Sequence, residues 1–108
     1  MTYAEFFSEM KTEFMKADVS DIKEHLAYQF NITGEASGIF YVEVKDGKIY
    51  VEPYEYYDRD VIFTASADTF RKIANGADPV KAVTFGKLKF EGNMDKALRL
   101  KELIERKR

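Results

Sequence analysis

The 108-residue sequence has no cysteine and no tryptophan, and it contains a single histidine, His25. Without cysteine there are no disulfides, thiolate metal ligands or cysteine nucleophiles, and one histidine cannot build a multi-histidine metal site. Apolar runs stay below the roughly 18 residues that a membrane span needs. The start of the chain, with Glu5 and no basic segment, is not typical of a signal peptide. We therefore expect no catalytic residues, no bound metal, and a soluble, cytoplasmic protein.

The net charge is −2, which argues against a nucleic-acid-binding role. The charge is uneven, however, because residues 87–108 hold eight basic and four acidic side chains. A basic end on an acidic body could direct the protein toward an anionic surface. The same charges could also belong to an ordinary solvated helix face, and the sequence leaves both interpretations open.

Four segments carry the start signals of α-helices. Thr2 and Glu5 form a capping box ahead of aromatic residues at helical spacing, which predicts a helix over about residues 3–16. Val19–Glu24 is expected to add one helical turn. A capping residue or a proline at the first helical position marks three more helices. These begin after Ser66, at Pro79 and after Asn93.

Five segments alternate between apolar and polar residues, as strands with one buried face do. They cover residues 26–33, 39–45, 48–52, 61–66 and 87–91. Asp46-Gly47 is typical of the two-residue type I′ turn of a hairpin. Such a turn pairs Lys45 with Lys48 and places Val44 opposite Ile49. Because apolar residues then meet on one face, the register of this hairpin is well specified.

The predicted order of elements is α-β-β-β-β-α-α-β-α, without repeats or linkers, in a single domain of residues 1–108. This order indicates an α+β fold in which helices cover one face of a five-stranded sheet. Residues 53–60 are predicted to be a loop, and the second sheet face is expected to be semi-polar and open to water. The inward apolar residues could fill a packed core or line a cavity, because both need the same residue types.

The second half of the chain carries an ordered series of short motifs. They are Thr64, Ala67-Asp68, Phe70, Gly76, Asp78-Pro79, Gly86-Lys87-Leu88-Lys89, Gly92-Asn93-Met94 and Leu100. With these motifs, residues 61–103 resemble the second half of the sterol carrier protein 2 domain family, and the 39–53 hairpin also fits. The resemblance implies a mostly antiparallel sheet with an apolar tunnel between sheet and helices. It also implies a fatty acid, fatty acyl-CoA, phospholipid or sterol-like ligand, held without a cofactor.

On this resemblance the protein is expected to be a non-catalytic lipid carrier. Its ligand-binding residues are expected among inward apolar positions of the sheet and the helices. They are Phe40, Val42, Phe63, Phe70, Ile73, Val83, Phe85, Leu88, Phe90, Met94, Leu98 and Leu103. The C-terminal helix is the expected gate, and its basic residues could meet phosphate head groups or make transient contact with a membrane surface. These are Lys96, Arg99, Lys101, Arg106, Lys107 and Arg108.

Three features depart from the family pattern. Phe85 stands where relatives often carry a glutamine near the tunnel, so its ring is expected to narrow the cavity or to favour wholly apolar ligands. Residues 105–108 do not form the small-Lys-Leu address of peroxisomal relatives. The chain is also expected to act without a fused enzyme. The alternative interpretation is a structural or dimerisation module with a filled core, acting beside a separate enzyme, and the protein is expected to be a monomer or a homodimer.

Overall fold

The computed structural model describes residues 1–106, and its helices and strands follow the predicted order. The strands are β1 (Leu26–Thr33), β2 (Gly38–Lys45), β3 (Lys48–Glu52), β4 (Val61–Ser66) and β5 (Lys89–Gly92). The helices are α1 (Tyr3–Met15), α2 (Ala67–Ala74), α3 (Pro79–Thr84) and α4 (Met94–Glu105). Within residues 1–106, no helix combines the length and the apolar character needed to cross a membrane.

The five strands form one sheet in the order β3-β2-β1-β4-β5. Three of the four pairings are antiparallel, and β1 pairs with β4 in parallel. The α+β fold with a mostly antiparallel sheet is therefore confirmed. The β2–β3 hairpin lies on one side of β1 and the β4–β5 pair on the other, so the sheet has two halves that meet at β1.

The β2–β3 hairpin confirms the predicted register. Lys45 pairs with Lys48, and Val44 pairs with Ile49. Both residues of the turn, Asp46-Gly47, have positive φ values of 53° and 73°. A type I′ turn requires this left-handed conformation, which glycine adopts without a steric penalty. Turn chemistry and apolar alternation thus specify the same pairing.

Side chains cap the helices at the predicted positions. Thr2 and Glu5 complete a capping box at the start of α1. The side-chain oxygens of Ser66, Asp78 and Asn93 each accept a backbone N–H from the first turn of the helix that follows. These contacts satisfy amide groups that have no partner within the helix, so each start is fixed locally by the sequence.

Stacked aromatic rings form the core between the sheet and the helices α1 and α2. Phe30 on β1 lies at the centre, with its ring centroid 4.8 Å from that of Phe40 and 5.5 Å from that of Phe63. Phe14 on α1 and Phe70 on α2 approach the same ring to 5.6 Å and 5.4 Å. Tilted, stacked and edge-to-face rings at these distances attract one another beyond their burial. This side of the sheet is therefore tightly filled.

The segment from Val19 to Glu24 does not form the predicted helical turn. It runs as turns and bends, with one bond from the Ile22 N–H to the Val19 carbonyl at 3.0 Å. Both of these side chains are buried in the core. Their burial, rather than a helical hydrogen-bond ladder, fixes the path of the segment between α1 and β1.

Strand β5 begins two residues later than predicted. The N–H groups of Lys87 and Leu88 both donate to the Ala82 carbonyl, at 2.9 Å and 3.1 Å. These bonds close the carboxyl end of α3, so the two residues are engaged before the sheet ladder starts at Lys89. Alternation alone could not reveal this helix-closing role.

The second sheet face is less open than predicted, because the loop 53–60 folds over part of it. The ring of Tyr56 lies 5.0 Å from that of Tyr41, and its N–H donates to Gln29 Oε1 at 3.2 Å. Gln29 is buried, and its side-chain amide donates to Asn31 Oδ1 at 2.9 Å. The loop thereby covers a hydrogen-bonded polar pair.

Candidate functional site

An open, mostly apolar groove lies between α3, β5 and α4. Its volume is about 230 Å³, and ten of its twelve lining residues are apolar. The apolar residues are Phe63, Pro79, Val80, Val83, Leu88, Phe90, Met94, Ala97, Leu98 and Leu100, and the polar ones are Thr84 and Lys101. A concave site of this composition favours an apolar ligand with at most one polar end.

The floor of the groove is buried, whereas its rim is exposed. Phe63, Leu88 and Leu100 form the floor and are each at most 4% exposed. At the rim, Val80 is 54% and Leu98 58% exposed. A group of large apolar side chains exposed to water commonly marks a surface that binds a ligand, a membrane or another protein. The groove is therefore the strongest candidate for a functional site in the described residues.

Helix α3, one wall of the groove, is held by its ends. Asp78 caps its start, and Pro79 occupies the first position, where an N–H would have no helical partner. At the other end the N–H of Gly86, whose φ is 73°, donates to the Val83 carbonyl at 3.0 Å. No residue of α3 is buried. Few buried contacts imply a low free energy of local opening, so this wall is the more easily displaced.

Helix α4, the opposite wall, is anchored to the sheet near its start. Lys96 Nζ lies 3.0 Å from Asp60 Oδ1, and the Lys96 carbonyl accepts a hydrogen bond from the Tyr28 hydroxyl at 2.6 Å. Burial raises the pKa of the Tyr28 hydroxyl, so this group stays protonated and donates. Asp60 also accepts the Ala27 N–H at 2.9 Å. The first turns of α4 are thus fixed to β1 and to the residue before β4.

Two further ion pairs hold the rest of α4. Arg99 pairs with Glu24, and Arg106 Nη1 lies 2.5 Å from Asp21 Oδ1. Glu102 accepts hydrogen bonds from both arginines, at 3.0 Å and 2.8 Å. The hydrogen bond from Arg106 lowers the pKa of the Asp21 carboxyl. Arginines bound in this way are less available to lipid head groups than the sequence suggested.

The six basic residues expected near the carboxyl end of the chain therefore differ in their environment. Lys96, Arg99 and Arg106 have acidic partners. Lys101 is exposed, lines the groove and makes no salt bridge among residues 1–106. The last two, Lys107 and Arg108, lie outside the described residues.

The twelve residues predicted to bind a ligand fall into three groups. Those that line the groove are Phe63, Val83, Leu88, Phe90, Met94 and Leu98. Those that lie in the packed core, away from the groove, are Phe40, Val42, Phe70, Ile73 and Leu103. The last is Phe85, which is exposed. The structure thus brings half of the set together at one site.

The space between the sheet, α1 and α2 is nearly filled. The cavity there has a volume of only about 20 Å³, and its lining includes Phe40, Phe70 and Ile73. A space of this size holds about one water molecule. An acyl chain therefore has no room on this side unless the aromatic core repacks.

Phe85 does not narrow the cavity, contrary to the expectation from the sequence. Its side chain is 74% exposed and is not part of the groove lining. Phe85 is the C-cap of α3, and the left-handed Gly86 turns the chain immediately after it. The cap geometry places the ring outside the groove, so Phe85 leaves the groove volume unaffected.

A polar cluster that the sequence did not indicate lies across the sheet at the edge of the loop. Glu43 accepts hydrogen bonds from the Tyr56 hydroxyl at 2.5 Å and from His25 Nε2 at 2.6 Å. Partial burial raises the pKa of Glu43, but these two hydrogen bonds outweigh it and the net pKa is lowered. The bond to Glu43 raises the pKa of Tyr56 to about 12. The cluster fastens the loop to β2 rather than lining a pocket.

Sequence reasoning missed part of the groove wall. Lys101 was expected to meet phosphate head groups but was not among the twelve predicted ligand-binding residues. The lining residues outside that set are Pro79, Val80, Thr84, Ala97, Leu100 and Lys101. The spacing of Val80 and Val83 on one short helix was the signal available in the sequence. Among residues 1–106, no three histidine or acidic side chains come together as potential metal ligands.

Comparisons with known proteins place these features in context. The family described as "SCP-2 sterol transfer family" matches residues 7–105. Among curated proteins, hydroxysteroid dehydrogenase-like protein 2 of Bos taurus is 38% identical over 81 residues, which are 71% of this chain and 19% of that protein. The chain thus spans about a fifth of the length of this relative.

Two solved structures share the fold. The palmitated sterol carrier protein 2-like 2 of Aedes aegypti has a TM-score of 0.66 at 24% identity, covering 96% of this chain and 95% of that one. The sterol carrier protein domain 2 of Helicoverpa armigera has a TM-score of 0.61 at 27% identity, covering 91% of this chain and 75% of that one.

Proposed function

The chain belongs to the SCP-2 sterol transfer family, and from this premise we propose that it is a non-catalytic lipid carrier that holds an acyl chain in the groove between α3 and α4. The observation that carries the proposal is the groove itself. It combines a buried apolar floor, an exposed apolar rim and a volume of about 230 Å³. In support, one structural relative is described as palmitated.

The physical gain from such binding is large enough to drive it. Each methylene group moved out of water contributes about 0.8 kcal/mol, so about eight of them contribute roughly 6 kcal/mol before ordering costs. The groove needs no precise polar partner for this gain. A carrier of this kind accepts ligands by their apolar length more than by the identity of a head group.

The polar end of the ligand is proposed to lie near Lys101. This residue is the charged member of the groove lining, and its ammonium group makes no salt bridge among the described residues. A carboxylate or phosphate placed there gains a charge-assisted hydrogen bond. The remaining polar residue, Thr84, offers a hydroxyl. This lining holds no paired acid and base, so the proposed role is binding rather than catalysis.

A long chain needs more room than the groove offers, because ligand pockets usually measure about 300–1,000 Å³. We expect α3 to supply that room by moving outward. Its side chains are not buried, whereas Lys96 ties α4 to Asp60 just before β4 and Arg99 ties it to Glu24 ahead of β1. The gate is therefore proposed at α3 rather than at the C-terminal helix.

A fluorescent fatty acid titrated into the protein tests the proposal. We expect saturable binding, and we expect Leu98→Glu to weaken it at least tenfold because a carboxylate at the rim repels the ligand head and interrupts the apolar surface. Met15→Glu is the matched control, since Met15 is an exposed apolar residue at the end of α1 and is not part of the groove lining. Absence of saturable binding, with no lipid extracted from the purified protein, would reject the carrier role.

A second candidate function rests on the filled half of the molecule. The space under α1 and α2 holds about 20 Å³, and the opposite sheet face exposes Ile39 and Tyr50. These features suit a structural or dimerisation module beside an enzyme, and the chain matches a fifth of a much longer dehydrogenase-like protein. Light scattering distinguishes the two roles: a dimer that Ile39→Lys dissociates, without fatty-acid binding, favours the module.

A further inference from the structure

We propose that residues 79–90, here called the α3–β5 segment, dock onto the surface of an anionic lipid bilayer. In this arrangement Phe85 enters the boundary between head groups and acyl chains, and Lys81, Lys87 and Lys89 meet lipid phosphates. The inference rests on the proposed function in one respect, because the α3–β5 segment is also a wall of the groove proposed to hold the lipid.

The first argument is the exposure of Phe85. Its ring is 74% exposed at the end of α3, although a phenylalanine normally gains by burial. Val80 and Val83 on the same helix are also exposed. An apolar tip of this kind, carried on a short helix with no buried residue, is suited to insertion into a bilayer surface. Most of the Phe85 ring therefore meets water in the described part of the chain.

The second argument is the charge of the same segment. Residues 79–90 include three lysines and no acidic residue. Lys81, Lys87 and Lys89 are exposed, and none of them makes a salt bridge among residues 1–106. Lysines near the surface of an anionic membrane are attracted to it. Apolar and basic side chains therefore occur together on the α3–β5 segment.

The charge pattern favours a bilayer over other occupants. In a symmetric dimer built on this face, the same patch would meet itself, and the three lysines of each copy would be brought together. Like charges facing each other are costly. The basic residues of α4 are weaker candidates, since Arg99 and Arg106 are engaged by acidic partners. The α3–β5 segment is thus the better match for an anionic surface.

Acidic residues lie around the docking surface proposed for the α3–β5 segment. Asp78 is engaged in capping α3, with its carboxylate accepting the Val80 N–H at 2.9 Å. Asp68 lines a depression together with Lys87 and Lys89, and its carboxylate pairs with Lys72 Nζ at 3.1 Å. Glu91 and Asp95 are exposed just beyond the segment, and we expect them to stay in water. Lys101 on the facing groove wall extends the basic surface across the groove opening. Docking in this orientation would let an acyl chain pass between bilayer and groove with little exposure to water.

Vesicle co-sedimentation of the 108-residue chain tests the inference without any cargo lipid. The probes are vesicles of phosphatidylcholine alone and vesicles with about one-third phosphatidylserine, whose surface attracts basic segments. We expect at least tenfold stronger binding to the anionic vesicles, weakened at high salt because salt screens exposed charges. Equal binding to both vesicle types, or none, would overturn the inference.

Two pairs of variants locate the contact. Phe85→Ser is expected to weaken vesicle binding at least fivefold, whereas Tyr57→Ser, at a loop residue that is 91% exposed, is expected to leave it unchanged. The double variant Lys81→Glu/Lys87→Glu is expected to weaken it more than tenfold. Its charge-matched control is Lys45→Glu/Lys48→Glu at the β2–β3 hairpin. If the controls lose as much binding as the test variants, the contact lies elsewhere and the inference fails.

Fatty-acid titration of the same variants separates this inference from the proposed function. Loss of vesicle binding by Phe85→Ser with fatty-acid affinity retained supports docking by the α3–β5 segment. If the protein binds fatty acid but does not bind anionic vesicles, the docking surface is overturned and the carrier role is supported. Vesicle binding through Phe85 without fatty-acid binding supports the docking surface and rejects the carrier role. A dimer that Phe85→Ser dissociates, without vesicle binding, would identify the face as a subunit interface and overturn the inference.

Discussion

The two halves of the helix-covered sheet face differ in how they use the same kinds of residue. Over β1 and β2, the side chains of α1 and α2 fill the space around Phe30, which is 1% exposed. Over β4 and β5, the helices α3 and α4 stand apart and leave a groove of about 230 Å³ with Leu98 at its rim. We call these the filled half and the open half. One half stabilises the fold, and the other is the half proposed to hold a ligand.

The comparison teaches that apolar residues alone do not decide which role a helix takes. α1 contributes Phe6 and Met10 to the core, whereas α3 contributes valines that stay at the surface. A six-residue helix closed by a proline at one end and a glycine at the other cannot lay a long apolar stripe on the sheet. The open half therefore follows from the shortness of α3.

The largest expected effect comes from opening the filled half. Phe30→Ala removes the ring that contacts four others and should lower the free energy of unfolding by about 3–5 kcal/mol. Leu98→Ala, at the rim of the open half, should cost less than about 0.5 kcal/mol. Chemical denaturation of both variants measures the difference. Similar losses in the two variants would remove the distinction between the halves.

A smaller loss is expected where the open half is tied to the rest of the fold. Asp60→Ala removes an acceptor for both Lys96 Nζ and the Ala27 N–H and should cost about 2–3 kcal/mol, since hydrogen bonds to charged groups are the stronger ones. Hydrogen exchange should accelerate in residues 94–98 more than in α1. Asp60→Asn, which keeps an acceptor oxygen, should cost less; an equal loss would mean that the charge alone matters.

The sequence was sufficient to predict the frame of the fold. Caps, turn residues and alternation are local signals, and they located the helices and the register between Lys45 and Lys48. The parallel pairing of β1 with β4 did not follow from local pattern, because no turn connects those strands. This pairing places Phe30 beside Phe63, where the two halves of the sheet meet.

The candidate site could be predicted only in part. Leu88 and Phe90 were expected to face the helices, and both line the groove. Phe40 and Val42 belong to the same apolar alternation but lie in the filled half. The alternation of apolar and polar residues cannot separate core positions from groove positions, because both need an apolar side chain. The exposure of Phe85 depends on the cap geometry of α3, which alternation does not encode.

The smallest expected effect is the pH dependence of the Glu43 cluster beneath the loop. Partial burial raises the pKa of Glu43, but the hydrogen bonds from Tyr56 and His25 together have the larger effect, so the pKa of Glu43 is lowered on balance. The stabilisation is therefore complete above the pKa of the unfolded carboxyl, about 4.5, and is lost as the pH falls through the lower folded value.

Thermal unfolding between about pH 5 and pH 3 measures this effect, since that window spans the ordinary pKa of glutamate. Wild-type protein should lose its advantage over Glu43→Gln as the pH falls, while fatty-acid affinity stays equal in the two proteins. A change in fatty-acid affinity in Glu43→Gln at neutral pH would show that the sheet face under the loop communicates with the groove, which the comparison of the halves does not predict.

Methyl NMR during titration with palmitate tests the central claim most directly, because it reports on both halves at once. We expect saturable chemical-shift changes at the methyl groups of Val80, Val83 and Leu98 in the open half. The methyl groups of Val42 and Val44, which are fully buried, should change little. The largest changes at Val42 and Val44, or no saturable change at any of these residues, would contradict the assignment of the ligand site to the groove between α3 and α4.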